Sequence, residues 1–362
     1  MKINQMEPWY GEEEKKAVID YLNSGGWMME HKKTEELEKM IAGYTGSRFC
    51  SMVFNGTVSL FCALKAYDIG KGDEVLCPDY TMIATPNAIK LAGADPILCD
   101  IEGDTLCIDF HDIERKITDK TKAIMLVSIN GRYPHSIIRI LEFCKERDIA
   151  VIEDAAQSLG SFYDGEHVGT LGDIGSFSFS MPKIITMGQG GALVTDSEFL
   201  YQQIEMIKDF GRPQPGVDYH EIIGWNFKYT DLQSVFGIEQ MKKLPERVER
   251  KKLIYQWYKE NLDNVNGISF IDTDEDVAPW FIDILVDKKR SEFIEYLKKE
   301  GIGSRQFYPA IHTQPPYHYV NGDFQNSSYI SQHGVWLPSA SQLTESDVLS
   351  VCNVIKQFEH FK

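Results

Sequence analysis

The chain has 362 residues, a hydrophobic fraction of 43%, an aromatic fraction of 12% and a net charge of −17, the profile of a folded globular protein too long for one ordinary core and suited to two domains. The acidic balance, with no cluster of Lys and Arg, excludes a nucleic-acid surface, and any anionic substrate has to be held by local donors, not by long-range steering. No apolar run reaches the roughly 18 residues needed to span a bilayer, and the start MKINQMEPWYGEEEKK lacks the charged-then-apolar order of a signal peptide, so the expectation is a soluble cytoplasmic protein with no membrane partner.

In chain order, residues 12–22 have helical spacing, with Val18, Ile19 and Leu22 on one face. The turn NGT (55–57) opens a predicted helix over 57–67, and Gly56 and Thr57 offer backbone N–H groups and a hydroxyl at its start, an anion site. Residues 74–77, 96–99, 123–129 and 149–152 are apolar runs of strand length, with helical stretches such as 87–92 and 136–147 between them. Strands alternating with helices imply a mainly parallel sheet covered on both faces. Short strands at 176–179 and 191–195 enclose one lysine, Lys183, and the turn GQGG (188–191), which lacks the spacing of a dinucleotide fingerprint. A long charged helix is predicted over 231–261, kinked or divided by Pro245. The tail reads strand (280–286), helix (290–300), loop and final helix (345–361), a smaller second domain; the boundary is placed at 245, with the N-terminal arm in the larger unit 1–245 and the remainder in 246–362.

Seven cysteines are scattered and none forms a CxxC pair. They read as reduced thiols, not as a disulfide framework or a zinc site, and no metal is expected.

The segments IAVIEDAAQSLG (149–160) and GSFSFSMPKIITMGQGGALVTD (175–196) carry the chemistry. Asp154 ends an apolar run and is followed by Gln157, while Ser178 precedes Lys183 in a largely apolar stretch. An acid, a hydroxyl and a lone lysine in this order suit pyridoxal phosphate: the amine condenses with the cofactor aldehyde, and the acid keeps the pyridine nitrogen protonated so that the ring acts as an electron sink. Asp154 lies at the carboxyl end of a predicted strand, the edge where open α/β sheets bind ligands. Desolvation lowers the amine pKa of such a lysine, which suits a proton shuttle.

Together with SGGWMME (24–30), NGTVSL (55–60), GDEVLCPDYTMIAT (72–85), GWNFKYTDLQ (224–233) and RQFYPAIHTQP (305–315), these segments resemble, over nearly the whole chain, nucleotide-sugar aminotransferases of the DegT/StrS group. The resemblance implies a fold-type-I α/β architecture, with a mainly parallel mixed sheet flanked by helices and a smaller C-terminal α+β domain. It implies pyridoxal phosphate on Lys183, with Asp154 on the pyridine nitrogen. It further implies Gly56, Thr57 and Ser178 at the phosphate, Gln157 among the cofactor-binding residues, and Asn226 reaching the phosphate of a neighbouring subunit in a homodimer. The substrates it implies are L-glutamate and a nucleotide-linked keto-sugar, with Trp27, Tyr80, Arg305, Tyr308 and His312 on the substrate side. A dehydrating branch carries histidine where Lys183 stands, so the lysine favours transamination over a sugar dehydratase; a non-catalytic cofactor-binding relative is the other alternative.

Two departures stand out. Thr81 is followed by Met82 where the family has an aromatic ring stacked on the pyridine, so either the thioether or nearby Tyr80 covers that face. In SINGRYPHS (128–136), Arg132 and Tyr133 are unusual, and either touch substrate or alter a loop.

Overall fold

The computed structural model describes residues 2–361. Its strands are β1 Phe49–Val53, β2 Glu74–Pro78, β3 Asp95–Cys99, β4 Thr121–Val127, β5 Ala150–Asp154, the short pair β6 Phe162–Tyr163 and β7 Glu166–His167, β8 Ile174–Ser178, β9 Gly191–Thr195, β10 Ile268–Phe270, β11 Ile282–Val286, β12 Arg305–Gln306 and β13 Gly334–Leu337. Its α-helices are α1 Glu12–Asn23, α2 Lys32–Thr45, α3 Gly56–Ala66, α4 Ala84–Ala92, α5 Phe110–Lys116, α6 Ile137–Lys145, α7 Glu198–Lys208, α8 Asp231–Lys242, α9 Leu244–Leu262, α10 Arg290–Lys299, α11 Gln325–His333 and α12 Glu345–Ile355. No helix among the described residues is long and apolar enough to cross a membrane.

A seven-stranded sheet in the order β1-β9-β8-β5-β4-β2-β3 forms the centre of the larger unit. Only β9 runs against the rest: it pairs antiparallel with β1 and β8, and the remaining pairs are parallel. Side chains alternate across each strand, so successive residues feed opposite layers. Val75, Cys77, Ala123, Met125 and Ile152 join a core with α3, α4 and α7, while Leu76, Ile124, Leu126 and Val151 face α5 and α6. Because both faces are covered, the strands are apolar along most of their length, and this is what the short runs in the sequence reported. Helix α3, apolar on most of its circumference, is buried along most of its length.

The smaller unit is a four-stranded antiparallel sheet, β10-β11-β13-β12, whose core is shared with α9, α10 and α12. The N-terminal segment departs from the expected division. Ile3 is buried in this core and bridges Ile302, and Gln5 accepts a hydrogen bond from the Ser339 amide at 2.8 Å. An isolated extended segment has no apolar spacing of its own to show which sheet it will join.

The predicted helix over 231–261 is two helices, broken at Lys243, with Pro245 in the first turn of the second. There its missing N–H would have had no intrahelical partner in any case. The expected final helix stops at Ile355 and is followed by a single 3₁₀ turn, Glu359–Phe361. β4 ends at Val127 instead of Ile129, because Asn130 adopts a left-handed conformation (φ 55°) that turns the chain off the sheet. Helix α1 forms as expected, but Ile19 and Leu22 on its apolar face remain 57% and 50% exposed. All seven cysteines are free and buried.

Candidate active site

The carboxyl ends of the parallel strands converge on one edge of the large sheet. Asp154 is the last residue of β5, and Ser178 the last of β8, five positions before Lys183. Gly56 opens α3 after β1, and Thr85 lies in the first turn of α4 after β2. Strand order and chain direction alone thus gather these side chains at the edge where α/β sheets bind ligands. Two cavities of about 770 and 870 Å³ lie elsewhere. The first is lined by Asp73, Lys122, Ile149 and Gly172 at the opposite, amino-terminal edge of the strands.

Asp154 is 7% exposed. Its Oδ2 accepts a 2.7 Å hydrogen bond from Thr85 Oγ1, which pairs in turn with Thr81 Oγ1 at 2.9 Å. Among the described residues, its Oδ1 receives only the Ala156 amide, at 3.3 Å. Burial pushes the carboxyl above its ordinary range, opposed by the Thr85 hydrogen bond and the charge of Lys183. Burial lowers the Lys183 amine to about 8, with Asp154 pulling the other way. Among the described residues, Lys183 forms no ion pair; its Nζ lies 3.9 Å from the centroid of the Trp280 ring.

The start of α3 is shaped for an anion. Asn55 caps the helix by accepting the Val58 amide at 2.9 Å. A Cβ on Gly56 would stand 3.0 Å from Ser178 Cβ and 3.3 Å from its Oγ, so only glycine leaves the Ser178 hydroxyl this close to the helix N-terminus. A Cβ on Gly191 would meet the Asn55 carbonyl at 2.4 Å, which is why β9 can run against this turn. Thr57 is partly exposed in the first turn.

This donor set fits pyridoxal phosphate. A helix N-terminus with a hydroxyl faces a phosphate, a buried carboxylate with one weakly occupied oxygen suits a pyridinium, and a desolvated amine without a carboxylate partner suits the aldehyde. Gln157 is buried, and its Oε1 accepts the Asn130 amide at 2.8 Å.

The SINGRYPHS alternatives are separated by the contacts that its residues make. Arg132 is 3% exposed and forms a two-pronged pair with Asp283 in β11, Nη1 to Oδ2 at 2.7 Å and Nη2 to Oδ1 at 2.8 Å. Asn130 Nδ2 donates to the Phe281 carbonyl at 2.8 Å and to Asp283 at 3.0 Å. Tyr133 donates to Asp274 at 2.8 Å. The departure therefore joins the two units.

The substrate-side candidates fall in different places. Tyr308 packs on Trp336, under the Arg305 guanidinium at 5.7 Å, and burial raises its hydroxyl to about 12. Arg305 is exposed. Tyr80 is 1% exposed, its ring packed beside Phe307 and Tyr308 between the units. Met82 is 45% exposed, and its sulfur accepts the Ala84 amide at 3.0 Å, folded back on its own turn. His312 is held by Asp79: Nδ1 lies 2.6 Å from Oδ2, its amide donates to Oδ1 at 2.8 Å, and its ring stacks on Phe324. Both contacts tie the smaller unit to the end of β2. Trp27 and Asn226 are exposed and make no side-chain hydrogen bond within the described chain.

Thr85, Asn130 and Trp280 belong to the site but carry no signal in isolation. Thr85 and Asn130 lie in segments already notable for their pattern, GDEVLCPDYTMIAT and SINGRYPHS; Trp280 is brought in by tertiary contacts alone.

The chain also matches known proteins. The profile of the DegT/DnrJ/EryC1/StrS aminotransferase family covers residues 8–356. The chain is 34% identical to a GDP-perosamine synthase of Escherichia coli O157:H7 over 95% of both chains. It is 31% identical to a GDP-perosamine synthase of Vibrio cholerae over 97% of this chain and 98% of the other. Among solved structures, the aminotransferase TlmJ from Streptoalloteichus hindustanus superposes with a TM-score of 0.92 at 28% identity, covering 98% of each chain. The chain belongs to the DegT/DnrJ/EryC1/StrS family and is a pyridoxal phosphate-dependent aminotransferase.

Proposed function

We propose that this family member transfers an amino group from L-glutamate to a nucleotide-linked keto-sugar, most simply a 4-keto-6-deoxy hexose, as a cytoplasmic homodimer. The relatives named as GDP-perosamine synthases support a sugar acceptor. The observation that carries the reading is the placement at one sheet edge of both a desolvated lysine amine, lowered to about 8, and the buried carboxyl of Asp154.

When bound, the cofactor supplies an aldehyde for amino-group exchange and a protonated ring that accepts electrons. Gly56 and Thr57 would hold its phosphate through backbone N–H groups and the Thr57 hydroxyl, and Ser178 would add a second hydroxyl. Asp154, fixed by Thr85, keeps the ring nitrogen protonated. Lys183 accepts a proton from the amino donor in the first half-reaction and returns one in the second; an amine that titrates at about 8 holds both protonation states near neutral pH. Arg305 and Tyr308 face the substrate side from the smaller unit and supply donors to an anionic nucleotide or a sugar hydroxyl. Asn226, exposed and with no side-chain hydrogen bond within the described chain, would reach the phosphate bound in the partner subunit. The exposed segment around it, with Ile223 at 82%, suits a face covered by a second copy.

Incubating the cofactor-loaded protein with glutamate and a panel of nucleotide-linked keto-sugars tests this reading. Stoichiometric 2-oxoglutarate and amino sugar from at least one member are expected, with loss of both in Lys183→Ala. No amination of any member would refute the assigned substrate class.

A further inference from the structure

We propose that Trp280, contributed by the smaller unit, is a positioning residue for Lys183: its indole face carries the amine, and its N–H pins the backbone immediately before it. The inference rests on Lys183 being the reacting amine, as proposed above.

The geometry is a three-point anchor. Lys183 Nζ lies 3.9 Å from the indole centroid. Trp280 Nε1 donates to the Pro182 carbonyl at 2.6 Å, one residue before the lysine. The Trp280 carbonyl accepts at 2.7 Å from Lys251 Nζ, itself fully buried in α9. The indole is 3% exposed and stacks on Phe281 at 3.8 Å and 20°. Phe281 is fixed in turn, its amide donating to Asn130 Oδ1 at 2.6 Å, and the Asn130 amide donates to Gln157. The lysine and the cofactor-side glutamine are thereby tied to the same two residues of the lead-in to β11.

The chemistry explains the need. A buried ammonium loses hydration, and Lys183 has no carboxylate within ion-pair distance among the described residues; Asp154 acts on it only through space. The negative face of an indole is the best uncharged partner for a cation, and it favours the protonated form without consuming a hydrogen bond. A carboxylate in that position would lock the amine in its charged state, whereas an indole leaves it free to exchange a proton. The smaller unit, by presenting Trp280, makes the reactivity of the lysine depend on how the two units are seated.

The test uses the cofactor-free full-length protein. The pH midpoint of Lys183 acylation by acetic anhydride is read by peptide mass spectrometry, with the remote Lys122 as an internal reference. The Trp280→Leu midpoint is expected to fall by about half a unit, through loss of the cation–π term, while Trp280→Phe, which keeps a ring face, stays close to the wild type. An unchanged or raised midpoint in a folded Trp280→Leu protein would overturn the proposal. A wild-type measurement guards against a variant that does not fold: after reductive ¹³C-methylation, the Lys183 dimethylamine signal, assigned by its loss in Lys183→Arg, should lie upfield of the other lysines because it sits over a ring. A signal among the others would also overturn it. If borohydride reduction of the loaded protein labels a different lysine, the functional reading fails; if it labels Lys183 and these two effects are absent, only the role of Trp280 fails.

Discussion

Thr85, in α4, donates its hydroxyl to Asp154 at the end of β5 across 2.7 Å, and this bond is the firmest hold on the carboxylate. It links the start of α4 to the end of β5 and opposes the burial that would otherwise protonate the acid. Thr85→Val keeps the shape and removes the donor. A hydrogen bond to a charged group contributes about 1.5–3 kcal/mol, so the variant should bind pyridoxal phosphate at least about tenfold more weakly while staying folded. Equilibrium titration by cofactor absorbance checks this; unchanged affinity would mean that the carboxylate needs no orienting partner.

The glycine at the start of α3 gives a second expectation. Gly56→Ala would press its methyl against Ser178 at about 3.0 Å and block the approach of a phosphate to the helix N-terminus. Cofactor affinity should fall by about tenfold or more, equivalent to about 1.4 kcal/mol, with a far-UV spectrum like that of the wild type. Inorganic phosphate is expected to compete for this turn in the wild type and to compete less well in the variant.

Much of the large unit was legible because its code is local. Alternating short apolar runs and helical stretches reported the parallel sheet, and Pro245 marked the break between α8 and α9. Asp154 and Lys183 were marked by their own segments and gain meaning from the strand ends that carry them. What could not be read depends on partners far away in the chain. Arg132 and Asp283 are 151 positions apart, so nothing near Arg132 tells a guanidinium buried in an ion pair from one held out to a substrate. His312 likewise reads as a free donor until Asp79 is seen beside it. The seat of the N-terminal segment was hidden for the same reason: Ile3 is apolar, but only the fold shows which core receives it.

The Arg132–Asp283 pair sets a stability expectation. Both side chains are nearly fully buried, and removing one partner leaves an uncompensated charge, a cost of about 3–5 kcal/mol. Arg132→Met should show that loss in urea unfolding, whereas Arg132→Met combined with Asp283→Leu should recover most of it. Equal losses in the single and double variants would mean that the other bonds of Arg132, to Thr273 and to the Asp272 carbonyl, carry its contribution.

His167 sets a pH dependence. Buried among the rings of Tyr44, Phe162 and Phe177, it stands 2.7 Å from the Val168 carbonyl through Nδ1 and accepts the Gly160 amide at Nε2, which requires the neutral ring. Burial lowers its pKa from 6.5 to about 4. Because the folded pKa is depressed, the unfolded chain binds more protons between these values. The stabilisation is complete above about pH 6.5 and is lost as pH falls towards 4, by about 3 kcal/mol in all. His167→Asn should be less stable than the wild type at pH 7, with a difference that shrinks steadily towards pH 4. A constant difference across that range would contradict the neutral, hydrogen-bonded assignment.

The central claim is that Lys183 is the amine that holds the cofactor, and one measurement addresses it directly. The purified protein, loaded with pyridoxal phosphate, is scanned in the visible range, reduced with borohydride, digested and mapped by mass spectrometry. A yellow protein whose absorbance collapses on reduction and whose phosphopyridoxyl label falls on Lys183 is the predicted result. A colourless protein, or a label on any other lysine, would contradict it.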